Sequence, residues 1–176
     1  MGEFRPPESA KRFVGCIHPE GEDPSAVLER LAARFGPVED ASEAVPFTAT
    51  DYYAQEMGAP LVRRFYAFGP LAPADALVDA KHFTQRLERD FSQDGRRRFN
   101  LDPGLLFAEK VVMATTKNYA HRIYLGGGVY ADLAYIFRDG AYRPLPWTYP
   151  DLWTPGRIGF FQGLRAAYLA SREASG

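Results

Sequence analysis

Two apolar-alternating runs, HRIYL at 121–125 and VYADLAYIF at 129–137, flank three consecutive glycines, Gly126, Gly127 and Gly128, and Asp139-Gly140 follows the second run. Alternation of this kind marks strands with one buried face, and Asp-Gly is the pair that most favours a two-residue hairpin turn. The stretch predicts an antiparallel meander with AYRPL as its third strand. If the three glycines form the first loop, Leu125 faces Val129 and Arg122 lies opposite Asp132. A slip of one residue sets His121 opposite Asp132 instead, in the arrangement of a base and its orienting carboxylate.

The first half reads as alternating strands and helices. RFVGCIH (12–18) predicts a strand; Asp23 and Pro24 then give a helix start, with Val27, Leu28, Leu31 and Phe35 at helical spacing before Gly36-Pro37. Residues 38–48 look extended, and a strand is expected from Leu61 to Phe68. A helix is expected from Pro73 to about Phe91, carrying Leu77, Ala80, Thr84, Leu87 and Phe91 on one face. RRRFN at 96–100 would supply the next strand. The order β-α-β-β-α-β is that of a ferredoxin-like sandwich. The expected fold class is therefore α+β: a ferredoxin-like core extended by the antiparallel meander and by a C-terminal helix. That helix opens at Thr154-Pro155 and turns Ile158, Phe161, Leu164 and Tyr168 inward. With 176 residues, 46% of them hydrophobic, the expectation is one domain over 1–176 with the first eleven residues flexible.

Several function classes fall away on composition. No apolar run approaches the ~18–20 residues that span a bilayer, and MGEFRPPESAKRF has no apolar segment to act as a secretory signal. The single cysteine, Cys16, cannot form an internal disulfide and sits in the apolar run FVGCI, which reads as a core thiol in a reducing, cytoplasmic compartment. Charge is uneven: residues 1–95 carry −6 and residues 96–176 carry +5, for a total of −1. That hints at an anionic ligand for the second half and argues against duplex nucleic acid and membrane as partners.

His121 is open to several readings: general base, metal ligand, phosphate partner, or a half-buried strand histidine. Lys117 and Arg122 stand close by in sequence. Asn100-Leu101-Asp102-Pro103-Gly104 has the signature of a turn, and Asp102 doubles as a candidate catalytic acid. Asp51, Tyr52, Tyr53 and Glu56, followed by Arg63 and Arg64, could stack on and clamp a planar anion, although adjacent arginines in a strand point to opposite faces. Arg96, Arg97 and Arg98 read as a solvated charge run. PLPWTYPDLW (144–153) cannot be regular structure, and its Trp147, Tyr149 and Asp151 could wall a pocket. The histidines His18, His82 and His121 are far apart, no CxxC or HExxH occurs, and no metal is expected, while the cofactor, if there is one, is unknown from the sequence.

Four separated motifs, TDYYAQEMG, RRFNLDPG, KNYAHRIYL and PLPWTYPD, resemble in order those of a bacterial and archaeal family of stand-alone proteins catalogued only as a domain of unknown function. The resemblance covers about Phe13 to Tyr168. Some relatives are labelled GTP-binding without a motif that justifies it. The family pattern implies importance for Asp51, Tyr52, Tyr53, Glu56, Asn100, Asp102, Pro103, Gly104, His121, Arg122, Trp147, Tyr149 and Asp151. The chain departs from it where Leu105 and Leu152 stand in place of aromatics.

Three functional expectations follow. The first is binding of a phosphate-bearing small molecule or nucleotide, GTP included, through Arg63 or Arg64, Lys117 and Arg122, with Tyr52 or Trp147 stacking. The second is an acid-base or hydrolytic enzyme using His121 with Asp102 or Asp132. The third is a protein interaction module that presents the PWTYPD loop.

Overall fold

The computed structural model describes residues 2–4, 6–48 and 52–173. Mixed strand and helix place the chain in the α+β class. The strands are β1 (Ala10–Pro19), β2 (Val38–Ala41), β3 (Val45–Pro46), β4 (Leu61–Ala72), β5 (Asn100–Leu106), β6 (Lys110–Thr115), β7 (Arg122–Gly126), β8 (Val129–Arg138) and β9 (Ala141–Pro144). The helices are α1 (Ser25–Phe35), α2 (Tyr52–Met57), α3 (Ala76–Asp90) and α4 (Pro155–Glu173), with a 3-10 turn at Pro150–Trp153 before α4. All strands join one antiparallel sheet in the order β2-β4-β1-β5-β6-β8-β7, with β3 on β4 and β9 on β8.

Side-chain alternation along β1 builds two cores. Phe13 enters the layer that α4 closes with Phe161, Leu164 and Tyr168. Val14 and Cys16 enter the opposite layer, where α1 and α3 contribute Val27, Leu31, Phe35, Ala80 and Leu87. Cys16 is fully buried, and burial pushes its thiol well above the usual range, as expected of an inert core thiol.

Three sequence expectations need correction. Within the segment 1–11, Ala10 and Lys11 begin β1, and Glu8 and Ser9 contact α4: Tyr168 Oη donates to the Ser9 carbonyl at 2.8 Å and Arg172 pairs with Glu8 at 2.6 Å. The strand assigned to 96–100 lies later, at Asn100–Leu106, so NLDPG is a strand and not a turn. Arg97 and Arg98 are not merely solvated, since Arg97 pairs with Glu56 at 2.6 Å and Arg98 pairs with Glu22.

The misread strand explains itself once its neighbours are known. Gly104 crosses Phe13, and a Cβ there would lie 2.2 Å from Phe13 Cζ, so only glycine lets the strands approach. β5 pairs with β1 along seven residues, from Asn100 to Leu106, yet pairs with β6 only at Gly104, Leu105 and Leu106. The next pair in register would join Pro103 to Ala114, and proline has no N–H to give. The ladder stops one residue earlier, and the sheet divides.

Candidate functional site

The divided sheet leaves the backbone of Leu101 facing the gap, and α3 supplies its partners. Glu88 Oε1 accepts the Leu101 N–H at 2.7 Å, and Lys81 Nζ donates to the Leu101 carbonyl at 3.1 Å. Buried peptide groups are almost always paired. Two side chains here replace a neighbouring strand. Both are buried, an unusual place for lysine and glutamate unless they are paired.

Between β5 and β6 lies a cavity of about 150 Å³, the size at which an engineered apolar cavity takes a benzene ring (~150 Å³). Its walls come from Asn100 and Asp102 on β5, from Met113 to Lys117 on and after β6, from α3 through Lys81, Gln85 and Glu88, and from Arg63 on β4. Phe47, Tyr52, Tyr53, Arg97, Arg122, Asp132, Tyr149 and Leu152 also line it, with Ile17, Ala134 and Thr148. Tyr52 and Lys117 are exposed, so they mark the mouth.

Acids and bases alternate around this cavity. Lys81 Nζ donates to Asp102 Oδ1 at 2.8 Å and Asn100 Nδ2 to Asp102 Oδ2 at 2.7 Å. Burial alone would raise the Asp102 carboxyl, but Lys81, Arg63 and these hydrogen bonds outweigh it and hold it below the usual carboxylate range. Burial dominates for Glu88, which is raised despite Lys81 and Arg97 nearby. Arg97 makes a bidentate pair with Glu56, at 2.9 and 3.0 Å from Nε, and lies 3.5 Å from Glu88. Tyr53, mostly buried, is pushed up.

Among the described residues, Arg12, Arg63 and Arg157 each have a buried, unpaired Nε, and of the three Arg63 is the one that lines the cavity. It is 4% exposed, and its Nη1 reaches both Asp151 oxygens at 3.2 Å. Nη2 meets only the Met113 sulfur, at 3.9 Å, and Nε has no acceptor among the described residues. Arg64, on the opposite face, donates to the Ser42 carbonyl at 2.7 Å and does not reach the cavity.

At the far wall the glycine hairpin takes the register that sets Arg122 opposite Asp132, with Nε 2.8 Å from Oδ2. A bulge at Leu125 makes Gly126, rather than Leu125, the partner of Val129. His121 Nε2 also approaches Asp132 Oδ2, at 3.6 Å, but its ring is stacked between Tyr119 and Trp147 and is not a wall of the cavity. Trp147 serves the sheet as well: its Nε1 donates to the Leu133 carbonyl at 2.9 Å, between the stretches of β8 paired with β7 and with β9.

Of the residues singled out from sequence, the cavity thus gathers Tyr52, Tyr53, Arg63, Asn100, Asp102, Lys117, Arg122, Asp132 and Tyr149. Glu56 and Asp151 touch it through Arg97 and Arg63, whereas Arg64, His121 and Trp147 stand outside its walls. Asp51 lies outside the described residues. Sequence reasoning missed Lys81, Gln85, Glu88 and Arg97. A signal existed for two of them, because Leu77, Lys81, Thr84 and Glu88 recur at i, i+4, i+7 and i+11 on one helical stripe. Among the described residues no three His, Cys, Asp or Glu side chains form a group that could hold a metal ion, and no helix is long and apolar enough to cross a membrane.

No curated protein and no solved structure matches the chain. A family model does, over residues 8–168, a span that takes in every wall of the cavity. The chain belongs to the family described as a domain of unknown function, DUF4416.

Proposed function

We propose that this protein binds a small molecule bearing an acidic group in the cavity between β5 and β6. The observation that carries the reading is Arg63: a guanidinium almost wholly buried and lining the cavity, whose Nη2 meets only the Met113 sulfur among the described residues. A thioether is a weak acceptor for a charged donor, and an acceptor oxygen on a ligand serves Nη2 better. Lys117 and Arg122 add positive charge, and Tyr52 and Tyr53 offer rings. A pocket with a few convergent polar groups is the default place for a ligand. Phosphate-bearing molecules, nucleotides and GTP among them, fall within this class, as do carboxylates. We also read the first half as ferredoxin-like, on its strand order β2-β4-β1-β5 with two helices on one face.

The test is a thermal-shift screen of the purified protein against nucleotides, sugar phosphates, inorganic phosphate and small carboxylates, repeated with Thr116→Trp. Thr116 is an exposed wall residue, so the bulky ring blocks the mouth without entering the core. A ligand that binds only the folded state raises Tm with its concentration over Kd. The expected result is a rise that Thr116→Trp abolishes. No rise with any class, in a well-folded protein, defeats the reading.

A second reading, a protein contact surface, is favoured by the exposure of Trp147, Tyr149, Trp153 and Tyr119, at 39, 36, 51 and 57%. It predicts a discrete complex in light scattering that Trp153→Ala dissolves. A monomer at every concentration and with every candidate partner counts against it.

A further inference from the structure

We infer that the ligand is a zwitterion, a small amino acid whose ammonium meets Glu88 inside the cavity and whose carboxylate meets Lys117 in the mouth. This rests on the binding reading above and narrows it. The cavity's charges balance in number but not in place. Arg63 pairs with Asp151, Lys81 with Asp102 and Arg122 with Asp132. Arg97 serves two carboxylates at once: it holds Glu56 by a bidentate pair, while its Nη1 donates to Asn100 Oδ1 at 3.3 Å and stands 3.5 Å from Glu88 Oε2. These four cations face five carboxylates, and the one held least is Glu88. Its Oε1 accepts the Leu101 N–H, and Oε2 receives no hydrogen bond among the described residues. The fifth cation, Lys117, has no carboxylate within ion-pair distance among the described residues; its Nζ rests 4.2 Å from the Tyr52 ring centroid. Both side chains line the cavity, Glu88 buried and Lys117 exposed.

The cavity is thus neutral as a whole, with an unmatched negative charge inside and an unmatched positive charge at its mouth. An ammonium and a carboxylate on one molecule meet both and leave the balance intact. A phosphate monoester, at about −1.5 to −2 near neutral pH, would match Lys117 but bring excess negative charge toward Glu88. An amine without an acid would leave Lys117 unmatched. Burial pushes the Glu88 carboxyl up despite Lys81 and Arg97, as fits a carboxylate short of positive charge. An ammonium offers it three donors. Gln85, Asn100 and Thr116 help to keep the walls polar, which suits a molecule charged at both ends, and about 150 Å³ of room suits an amino acid of a few carbons.

The experiment titrates the intact protein by calorimetry with α-, β- and γ-aminobutyrate, three isomers that differ only in the separation of their charges, and with butyrate, butylamine, inorganic phosphate and GTP. One isomer is expected to bind more tightly than either butyrate or butylamine. Glu88→Gln keeps an acceptor for the Leu101 N–H; it is expected to weaken that isomer about tenfold to a hundredfold, as for a lost charge-assisted hydrogen bond, and to spare butyrate. Lys117→Met, at an exposed position, is expected to weaken it about fivefold, the upper end for an exposed ion pair, and to spare butylamine. Butyrate, phosphate or GTP binding as tightly as the best isomer overturns the inference and leaves the binding reading standing. Butylamine binding as tightly overturns both. Equal loss of the isomer and butyrate in Glu88→Gln, or of the isomer and butylamine in Lys117→Met, overturns the partner assigned to that end. No binding by any probe overturns the inference, and the wider thermal-shift screen then decides the binding reading.

Discussion

Lys81 and Glu88, seven residues apart on α3, hold the carbonyl and the N–H of a single residue, Leu101, where the neighbouring strand has turned away. The cavity is kept open by this pair: the β5 backbone is satisfied without β6, so the strands need not close over it. Lys81 also neutralises Asp102, which makes it the residue on which fold and site both depend.

Replacing Lys81 with Met should destabilise the protein by about 1–3 kcal/mol, because the part-buried Asp102 carboxylate and the Leu101 carbonyl both lose a donor while Arg63 and Asn100 still face Asp102. Asp102→Asn should cost less in the Lys81→Met background than in the native one, since the charge left unpaired is then gone. Urea denaturation of the two single variants and the double variant measures the coupling. Additive losses would show that the two groups do not act as a pair.

Stability should depend on pH through Glu88 and Asp102 in opposite senses. Glu88 has a raised folded pKa, so the folded state holds its proton more tightly; stability is lost as pH rises from the unfolded value of about 4.3 toward the folded one. Asp102 has a lowered folded pKa, so its contribution is present above about 3.9 and lost as pH falls through the folded value. Glu88→Gln keeps an acceptor for Leu101 and should lose less stability than the native protein between pH 4 and pH 7 in denaturant titrations. Parallel pH profiles would remove Glu88 as the cause.

Gly104→Ala places a methyl 2.2 Å from Phe13 Cζ, inside a fully buried ring. The expected loss is about 1–3 kcal/mol from overpacking. Adding Phe13→Leu should recover part of it by making room. A neutral Gly104→Ala in thermal melts would mean that β5 shifts on β1 at no cost.

Arg157, 2% exposed in the first turn of α4, donates to Ser42 Oγ, to the Glu43 carbonyl at 2.9 Å and to the Arg63 carbonyl. Arg157→Met keeps the stem but removes the guanidinium donors to Ser42 and to the Glu43 and Arg63 carbonyls, for a loss of about 2–6 kcal/mol at about 1–3 kcal/mol for each carbonyl. Because the Arg63 carbonyl is among them, the variant should also weaken whatever ligand Arg63 binds. Equilibrium denaturation and the thermal-shift screen read the two effects separately.

The meander was legible in the sequence, and Arg122 opposite Asp132 was one of its two candidate registers, because both depend on local chemistry: glycines that accept positive φ, at +58° for Gly127 and +77° for Gly128, and alternation along the strands; the bulge at Leu125 was not legible. Adjacent Arg63 and Arg64 could be assigned to opposite faces on the same ground. β5 could not, because Pro103 and Gly104 are turn formers in isolation. They suit a strand only where the next strand departs and the crossing strand carries Phe13, which lies about 90 positions away. The roles of Lys81, Glu88 and Arg97 were hidden for a similar reason. Nothing adjacent in the chain says that a helix will stand in for a strand, and the Asp151 partner of Arg63 arrives from the far end of the chain.

A sheet joined to itself at β5 and β6 by three residue pairs has a line of weakness through its middle. Residues up to Leu106 form one part and the meander from Lys110 the other, with α4 packed on both β1 and β9 like a strap across a hinge. Local opening concentrates where pairing is sparse. Amide exchange at Leu105 and Val112 should therefore run faster than along β1, and the cavity lies on that line of sparse pairing.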